Sequence, residues 1–498
     1  MGKIIPLQQE LSPALPNIYG AKDFREFKRT LVDIDAILRK SCIEDDLIEK
    51  TLLKYIKVNK LNASDYLSSK AADSHYRNLQ YALRCNIARH LTGESYRQFS
   101  IKLTDSALLQ WFTGINGFKK CKPASKSTLE RFEKIFEEND IANCITSMIC
   151  HLSNPENSEI YGIEKAVETD VVYADCTCVK SNIHFPVDWV LLRDAARSLL
   201  SAITTIRNQG LKHRMVTTAE LSSEMSNLCI AMTHARGKKD GKKVRKTILR
   251  LMKKLINRIQ KHAQRYRETL INNIEKTKWS EKQLNQVVKR IDNILNQLPS
   301  AMKQAHDRII GERAIPSKDK ILSLYEEDVQ ILVRGKAESK VEFGQKLLLV
   351  EQADGLIVDF DLYSDGTPAD SSLVRSIISR LEGNFGKVSA IVGDRGFDSK
   401  SNDRFLYVKE IDNHLCPRSP NKLKEKMQGE SFKNYQKRRA QTEGRIGVFK
   451  NVFLCNPLRT RSKINKRIAI SWCVLSHNLW VTSRNILTTN DYAERLAA

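Results

Sequence analysis

A strand-like run, Val171–Val179 (VVYADCTCV), is cut off from every other β-patterned stretch by a long segment, 188–317, that has helical periodicity alone. In that segment Leu191, Leu192, Ala195, Ala196, Leu199, Leu200 and Ile203 recur at helical spacing. So do Ile248, Leu251, Met252, Leu255, Ile256 and Ile259, and then Val287, Val288, Ile291, Ile294, Leu295 and Leu298. Three such apolar stripes predict long helices packed as a bundle or hairpin. β-patterning resumes at Lys320. Val329–Val333 is a strand candidate, and Glu342–Val350 and Leu356–Tyr363 flank a hairpin turn at Ala353-Asp354-Gly355. A helix over Ser371–Leu381, a strand ending at Asp394, a helix over Lys400–Lys409 and a short strand at His414–Cys416 follow. A basic helix and an apolar one (Ile468–Val481) complete the series. The order predicts an α/β fold whose mixed sheet is split in sequence by a large helical insertion.

The organisation read from the chain is a loose arm at 1–22, a helical region at 23–165 and a first-strand region at 166–187. The insertion occupies 188–317, the remainder of the α/β domain 318–485 and a tail 486–498. The N-terminal region is all-α. Glu94–Phe118 reads as two short helices joined at Thr104-Asp105, with Phe99, Leu103, Leu108, Leu109 and Phe112 toward a core. Ser127 and Glu130 have capping-box spacing, so a helix is expected to start there. Short helices with a basic, hydroxyl-rich N-terminus suit a helix-turn-helix reader of DNA, with Lys126 and Arg131 as contacts. A helical subdomain packed on the catalytic core is the other reading of that segment.

Charge points to a polyanionic partner. The 498 residues hold 82 Lys+Arg against 58 Asp+Glu, a formal net charge of +24, and such a field attracts nucleic acid in a salt-dependent way. Bases are densest in Arg236–Arg267, whose one acid is Asp240. A solvated helix face is the ordinary account of a charge run. One-sided charge of this density instead favours phosphate contact through Lys238, Lys239, Lys242, Lys243, Arg245 and Lys246, and the stripes beneath it serve dimerisation equally well. No apolar run approaches the length of a membrane span, and the segment MGKIIPLQQE lacks a signal-peptide core. The eleven cysteines are scattered, with no CxxC pair, as expected of free thiols in a reducing compartment. No GxxxxGK[ST] occurs, which argues against an ATP motor.

Three acids stand out. Asp175 lies in the middle of the first strand, Asp394 ends the run VSAIVGD, and Glu443 lies among Arg438, Arg439, Arg445 and Lys450 on the basic helix Tyr435–Lys450. Carboxylates buried on strands are costly unless satisfied. Turn amides or an arginine would satisfy them, and so would divalent cations, whose pairing serves phosphodiester cleavage. Arg439, Glu443 and Lys450 are spaced to share one helix face. On that face Glu443 either pairs with its neighbours or turns toward the aspartates.

These residues resemble those of bacterial insertion-sequence transposases of the DDE type. The D-x-T opening appears as Asp175-Cys176-Thr177, followed by Pro186-Val187-Asp188, and the second signature as Asp394-Arg395-Gly396-Phe397. Arg439, Glu443 and Lys450 fit the pattern Y-x2-R-x3-E-x6-K, whereas Tyr435 sits one place early and Gln436 occupies the tyrosine's slot. Gly335-Lys336 with Glu342-Phe343-Gly344, His477-Asn478-Leu479-Trp480 and Ser127-Thr128-Leu129 add to the likeness, which covers roughly 95–190 and 315–485; the long insertion departs from it. The resemblance implies an RNase H-like catalytic domain in which Asp175, Asp394 and Glu443 bind two Mg²⁺ ions, Mn²⁺ substituting. Arg439, Lys450 and Arg395 would contact DNA. It further implies cleavage at the ends of an element and strand transfer into target DNA, by a homodimer or higher multimer in the cytoplasm at the nucleoid. A nuclease that cuts without joining and a domesticated DNA-binding protein are the alternatives.

Overall fold

The computed structural model describes residues 14–115, 122–237, 239–333, 341–454 and 457–497. Residues 1–13 of the arm, Lys238, and the Gly335-Lys336 pair lie outside them. The chain divides into two compact units, one formed by 1–181 with 345–498 and the other by 182–344.

The first unit joins the α/β domain to the N-terminal helices. Helices Lys22–Lys40, Ile43–Val58, Lys70–Thr92 and Glu138–Ser153 pack with one another and with the closing helix Lys463–Ala497. Their apolar faces (Leu31, Ile34, Leu83, Ile87, Ile145 and Trp472 among them) are continuous with the core beneath the sheet. Helix Lys70–Thr92 stops at Gly93, which takes φ +64 and lets the backbone approach Val452; a Cβ there would lie 2.9 Å from the Val452 carbonyl oxygen. The helix expected to begin with a Ser127 cap begins earlier. Ser125 is its N-cap, accepting from the Thr128 amide, and the helix spans Lys126–Glu133. The short helices before it are Tyr96–Asp105 and Ala107–Thr113, with Ser106 at the junction and the five expected apolar residues buried.

The strands are β1 (Val171–Lys180), β2 (Gln330–Val333), β3 (Val341–Gln352), β4 (Ile357–Tyr363), β5 (Ala390–Gly393) and β6 (Asp412–Leu415). Strands β3 and β4 form the expected hairpin, and β3 is hydrogen-bonded to β1 in turn. On the other side of β1 the pairing is parallel, β1 to β5 and β5 to β6. The four residues of β5, Ala-Ile-Val-Gly, are all buried: the strand is flanked by β1 and β6, and helix Glu430–Val448 covers it on a face. The sheet is therefore mixed, and its first strand is separated in sequence from its partners by the second unit.

Among the described residues that unit is a bundle of four α-helices: Asp188–Arg207, Thr218–His234, Gly241–Asn272 and Glu281–Ile309. Three carry the stripes seen in the sequence. The fourth, Thr218–His234, buries Leu221, Met225, Cys229 and Met232 against them. Leu251 departs from its expected place, being 47% exposed. Asp188 opens the first helix as a buried carboxylate, bonded to Arg308 at 2.8 Å and Gln304 at 3.0 Å. Strand β2 pairs antiparallel with Val341–Gly344. Among the described residues no helix is long and apolar enough to cross a membrane.

Candidate active site

The register of the parallel strands puts two acids together. Val171 to Ala174 pair in order with Ala390 to Gly393, so the next residues along, Asp175 and Asp394, meet across neighbouring strands. Adjacent strands lie ~4.8 Å apart, and side chains in matching register on parallel strands leave by the same face. Asp175 accepts from the Cys176 amide at 2.7 Å, and Asp394 accepts from the Gly396 amide at 2.8 Å. Burial pushes the Asp175 carboxyl up to about 6, and the neighbouring Asp394 pushes the same way. The Cys176 amide and Arg439 offset only part of this.

The turn after Asp394 explains the Asp-Arg-Gly-Phe sequence. Phe397 is fully buried and anchors the turn, while Arg418 donates to the carbonyls of Arg395 and Gly396. A Cβ on Gly396 would lie 2.5 Å from an Asp370 oxygen and 2.9 Å from an Asp394 oxygen. Asp370 is thus a further carboxylate beside the site. It is ion-paired with Lys346 of β3, whose side chain is buried and also donates to the Pro368 carbonyl at 2.7 Å. Sequence reading missed both: Asp370 opens helix Asp370–Phe385 like any first-turn acid, and a lysine on an apolar strand gives no sign of its partner.

Glu443 is carried by helix Glu430–Val448, which packs across β1, β5 and β6. One face of that helix holds it to the sheet. Arg438 and Thr442 bond the buried Glu351 at 2.9 and 2.6 Å, Arg445 reaches it at 3.4 Å, and Arg438 also clasps the β3–β4 turn through the carbonyls of Gln352 and Ala353. The adjoining face carries Gln436, Arg439 and Glu443. Gln436 donates to the His414 carbonyl at 2.7 Å and accepts from Arg439 at 3.1 Å; Arg439 in turn donates to Glu443 at 3.0 Å. Glu443 stands close enough to Asp175 to raise it further. Tyr435 packs against the rings of Tyr173 and His414. Gln436 thus takes a hydrogen-bonding place in the site, while Tyr435 lies on protein rings.

Lys450 departs from the straight helix expected through it. The helix ends at Val448 and continues as a π-helical segment, Phe449–Phe453, from which Lys450 donates to Thr177 Oγ1 at 3.2 Å. Thr177 lies two residues beyond Asp175 on β1, on the same face of the strand. Arg395 is exposed in the turn beyond Asp394. Lys126 and Arg131 are exposed on the Ser125-capped helix, Arg131 folding back to Ser127 and Thr128.

In the helical unit Arg245 stacks over Trp189 at 5.0 Å, and Lys242 and Lys246 reach Glu312 at 3.3 and 2.8 Å. Lys239 and Lys243 are exposed. Among the described residues no three His, Cys, Asp or Glu are gathered to hold one metal ion. Asp175 and Asp394 are brought together; Glu443 is turned to Arg439. The donor set is carboxylate oxygen, suited to a hard divalent cation.

Residues 330–479 match the family model of the transposase DDE domain. No curated protein and no solved structure matches the chain. The matched segment holds Asp394, Arg439, Glu443 and Lys450, and the sheet adds Asp175 from outside it. The chain thus carries a transposase DDE domain over residues 330–479.

Proposed function

We propose that the chain cuts DNA at the ends of an insertion sequence and joins the freed ends to target DNA, using divalent cations at Asp175, Asp394 and Glu443. The observation that carries this reading is the register setting Asp175 beside Asp394 at adjoining strand positions. The topology supports an RNase H-like domain: a hairpin, then β1, then two parallel strands, with the third acid on a helix across their ends. Asp175 and Asp394 would hold a cation between them, and Glu443 would join by leaving Arg439. Mg²⁺, with Mn²⁺ substituting, supplies activation of the attacking hydroxyl and stabilisation of the leaving oxygen.

The remaining work falls to the chain's own residues. Arg439 is held by Gln436 and Glu443, so its guanidinium is already oriented for a bidentate phosphate contact once Glu443 turns away. Lys450, at Thr177, supplies a point charge on the same side of β1. Arg395 extends the basic rim. The protein is expected to act as a multimer that brings two ends together.

A cleavage and strand-transfer assay on DNA carrying the gene's own flanks tests the reading, comparing wild type with Asp394→Ala in Mg²⁺ and in EDTA. Metal-dependent cutting with joined products, lost in the variant, is expected. Cutting without joining would leave a nuclease, and binding without cutting under any metal would leave a DNA-binding protein.

A further inference from the structure

Helix Gly241–Asn272 carries two kinds of cation. Lys242 and Lys246 are engaged by Glu312, Arg258 by Glu224 at 3.0 Å, Arg267 by Asp292, and Arg245 by the Trp189 ring. Lys243, Arg250, Lys254, Lys261 and Arg265 are different. All five are exposed, and among the described residues none forms a side-chain ion pair or hydrogen bond. They follow one another at steps of seven, four, seven and four residues. Such steps return to one face of an α-helix within roughly 60°, so the five side chains form a line that runs for ~33 Å. The opposite face buries Leu249, Met252, Ile256, Ile259 and Ala263, which fixes the line outward.

We infer that this line is a phosphate-binding rail for duplex DNA, contacting the backbone without reading sequence; the inference rests on the DNA-processing reading above. Its length is close to one turn of B-DNA, ~34–36 Å. Its polar crest also carries Asn257, whose side-chain amide can donate to phosphate oxygens. A protein partner would require an apolar or aromatic centre. Leu251 is the one large exposed apolar side chain between Lys243 and Arg265 among the described residues. The acid Glu268 closes the line at its C-terminal end. Of the Lys238–Lys246 cluster, Lys242, Arg245 and Lys246 are engaged within the bundle, and the proposed line shares only Lys243 with it.

The test is the salt dependence of binding by the full chain to a mixed-sequence duplex several turns long, followed by fluorescence anisotropy. Each phosphate contact contributes ~0.9 to the slope of log affinity against log salt. Replacing all five cations with glutamine should flatten the slope by about 3–4.5 and weaken binding at least ~100-fold at physiological ionic strength. The engaged pair Lys242→Gln and Lys246→Gln should change the slope by less than about 1. Circular dichroism checks the fold of each variant, and a triple variant at Lys254, Lys261 and Arg265 stands in if the fivefold one does not fold. A steep wild-type slope kept in the folded variant overturns the rail and leaves the DNA reading intact. A wild type with no salt-dependent DNA binding overturns both. An unchanged slope with a lost oligomer assigns the line to contact between copies and also overturns the rail.

Discussion

Two sets of carboxylates, one buried among helices and one half-buried at the sheet, lie in the same compact unit and are treated in opposite ways. In the N-terminal helices Arg84 binds Glu44 through two bonds of 2.7 and 2.8 Å and Asp35 through one of 2.7 Å, and Arg89 with Tyr96 encloses Glu133. Burial alone would raise Glu133, yet Arg89 and its other neighbours outweigh it and hold the carboxyl at about 2. At the sheet, burial raises Asp175 to about 6 and the neighbouring Asp394 adds to the rise. The fold thus supplies a counter-charge to Glu44, Asp35 and Glu133 and leaves most of it out at β1 and β5; Asp33 of the first helix departs from the helical set, burial raising it to about 6 against the pull of Arg29 and Lys40. A carboxylate pair kept short of positive charge is what an incoming cation requires.

If that contrast is functional, removing either aspartate should abolish chemistry and spare the fold. Asp175→Ala and Asp394→Ala are each expected to lower cleavage at least ~1000-fold, a loss of ~4 kcal/mol in transition-state stabilisation, with duplex binding nearly unchanged. Glu443→Ala should do the same by removing the third ligand. Full cleavage in any of the three would remove that residue from the site. In the helical set the effect should fall on stability instead. Arg84→Ala leaves the buried Glu44 with only the Gln80 amide, while Asp35 keeps Arg39, and should cost about 3–5 kcal/mol in chemical denaturation. A loss below 1 kcal/mol would mean that water reaches the pair and the contrast is overstated.

The opposite sign is expected for Asp175→Asn. A carboxyl raised from 3.8 to about 6 in the folded chain contributes stability that is fully present below about 4 and lost as pH rises through about 6. At neutral pH in metal-free buffer the neutral amide should therefore stabilise the protein, by on the order of 2–3 kcal/mol. Adding Mg²⁺ should raise the melting temperature of the wild type and leave the variant unmoved. Glu133 gives the control sign, its contribution being present above about 4.5 and lost only as pH falls through about 2. A wild type whose stability is flat between pH 4 and 7 without metal would contradict the account.

The sequence already carried much of this contrast. Apolar β-branched runs ending at or enclosing an acid placed Asp175 and Asp394 on buried strands, and the interruption of β-pattern by helical stripes anticipated a sheet divided by a bundle. The hairpin at Ala353-Asp354-Gly355 followed from turn chemistry that is local in the chain. What escaped notice depends on contacts far apart in sequence. Arg438, Thr442 and Arg445 look like the rest of a basic helix until Glu351 is seen under them. The π-helical segment that carries Lys450 has no composition signal, and the helix Thr218–His234 is too evenly mixed to announce its buried side. Glu312, which pairs with Lys242 and Lys246, is separated from them in sequence by the length of a helical hairpin.

The smallest expected effect concerns how the unpaired acids are held apart from a paired one. Asp370 is neutralised by Lys346, as the helical acids are by their arginines, yet it stands beside Asp394 with Gly396 between them. A methyl group at Gly396 would meet both carboxylates, 2.5 Å from one and 2.9 Å from the other, so one of them must shift. Asp370 is tethered by Lys346, while Asp394 accepts from the Gly396 amide itself; the strain should therefore fall on Asp394. Gly396→Ala should change stability by less than about 1 kcal/mol, since the turn stays anchored by Phe397, and should lower cleavage by roughly 10-fold through misplacement of a ligand. Raising the Mg²⁺ concentration should recover part of that loss if the shift weakens metal binding. If activity is unchanged, Asp370 is the residue that yields, and its pairing with Lys346 is looser than the buried arginine pairs with which it has been compared.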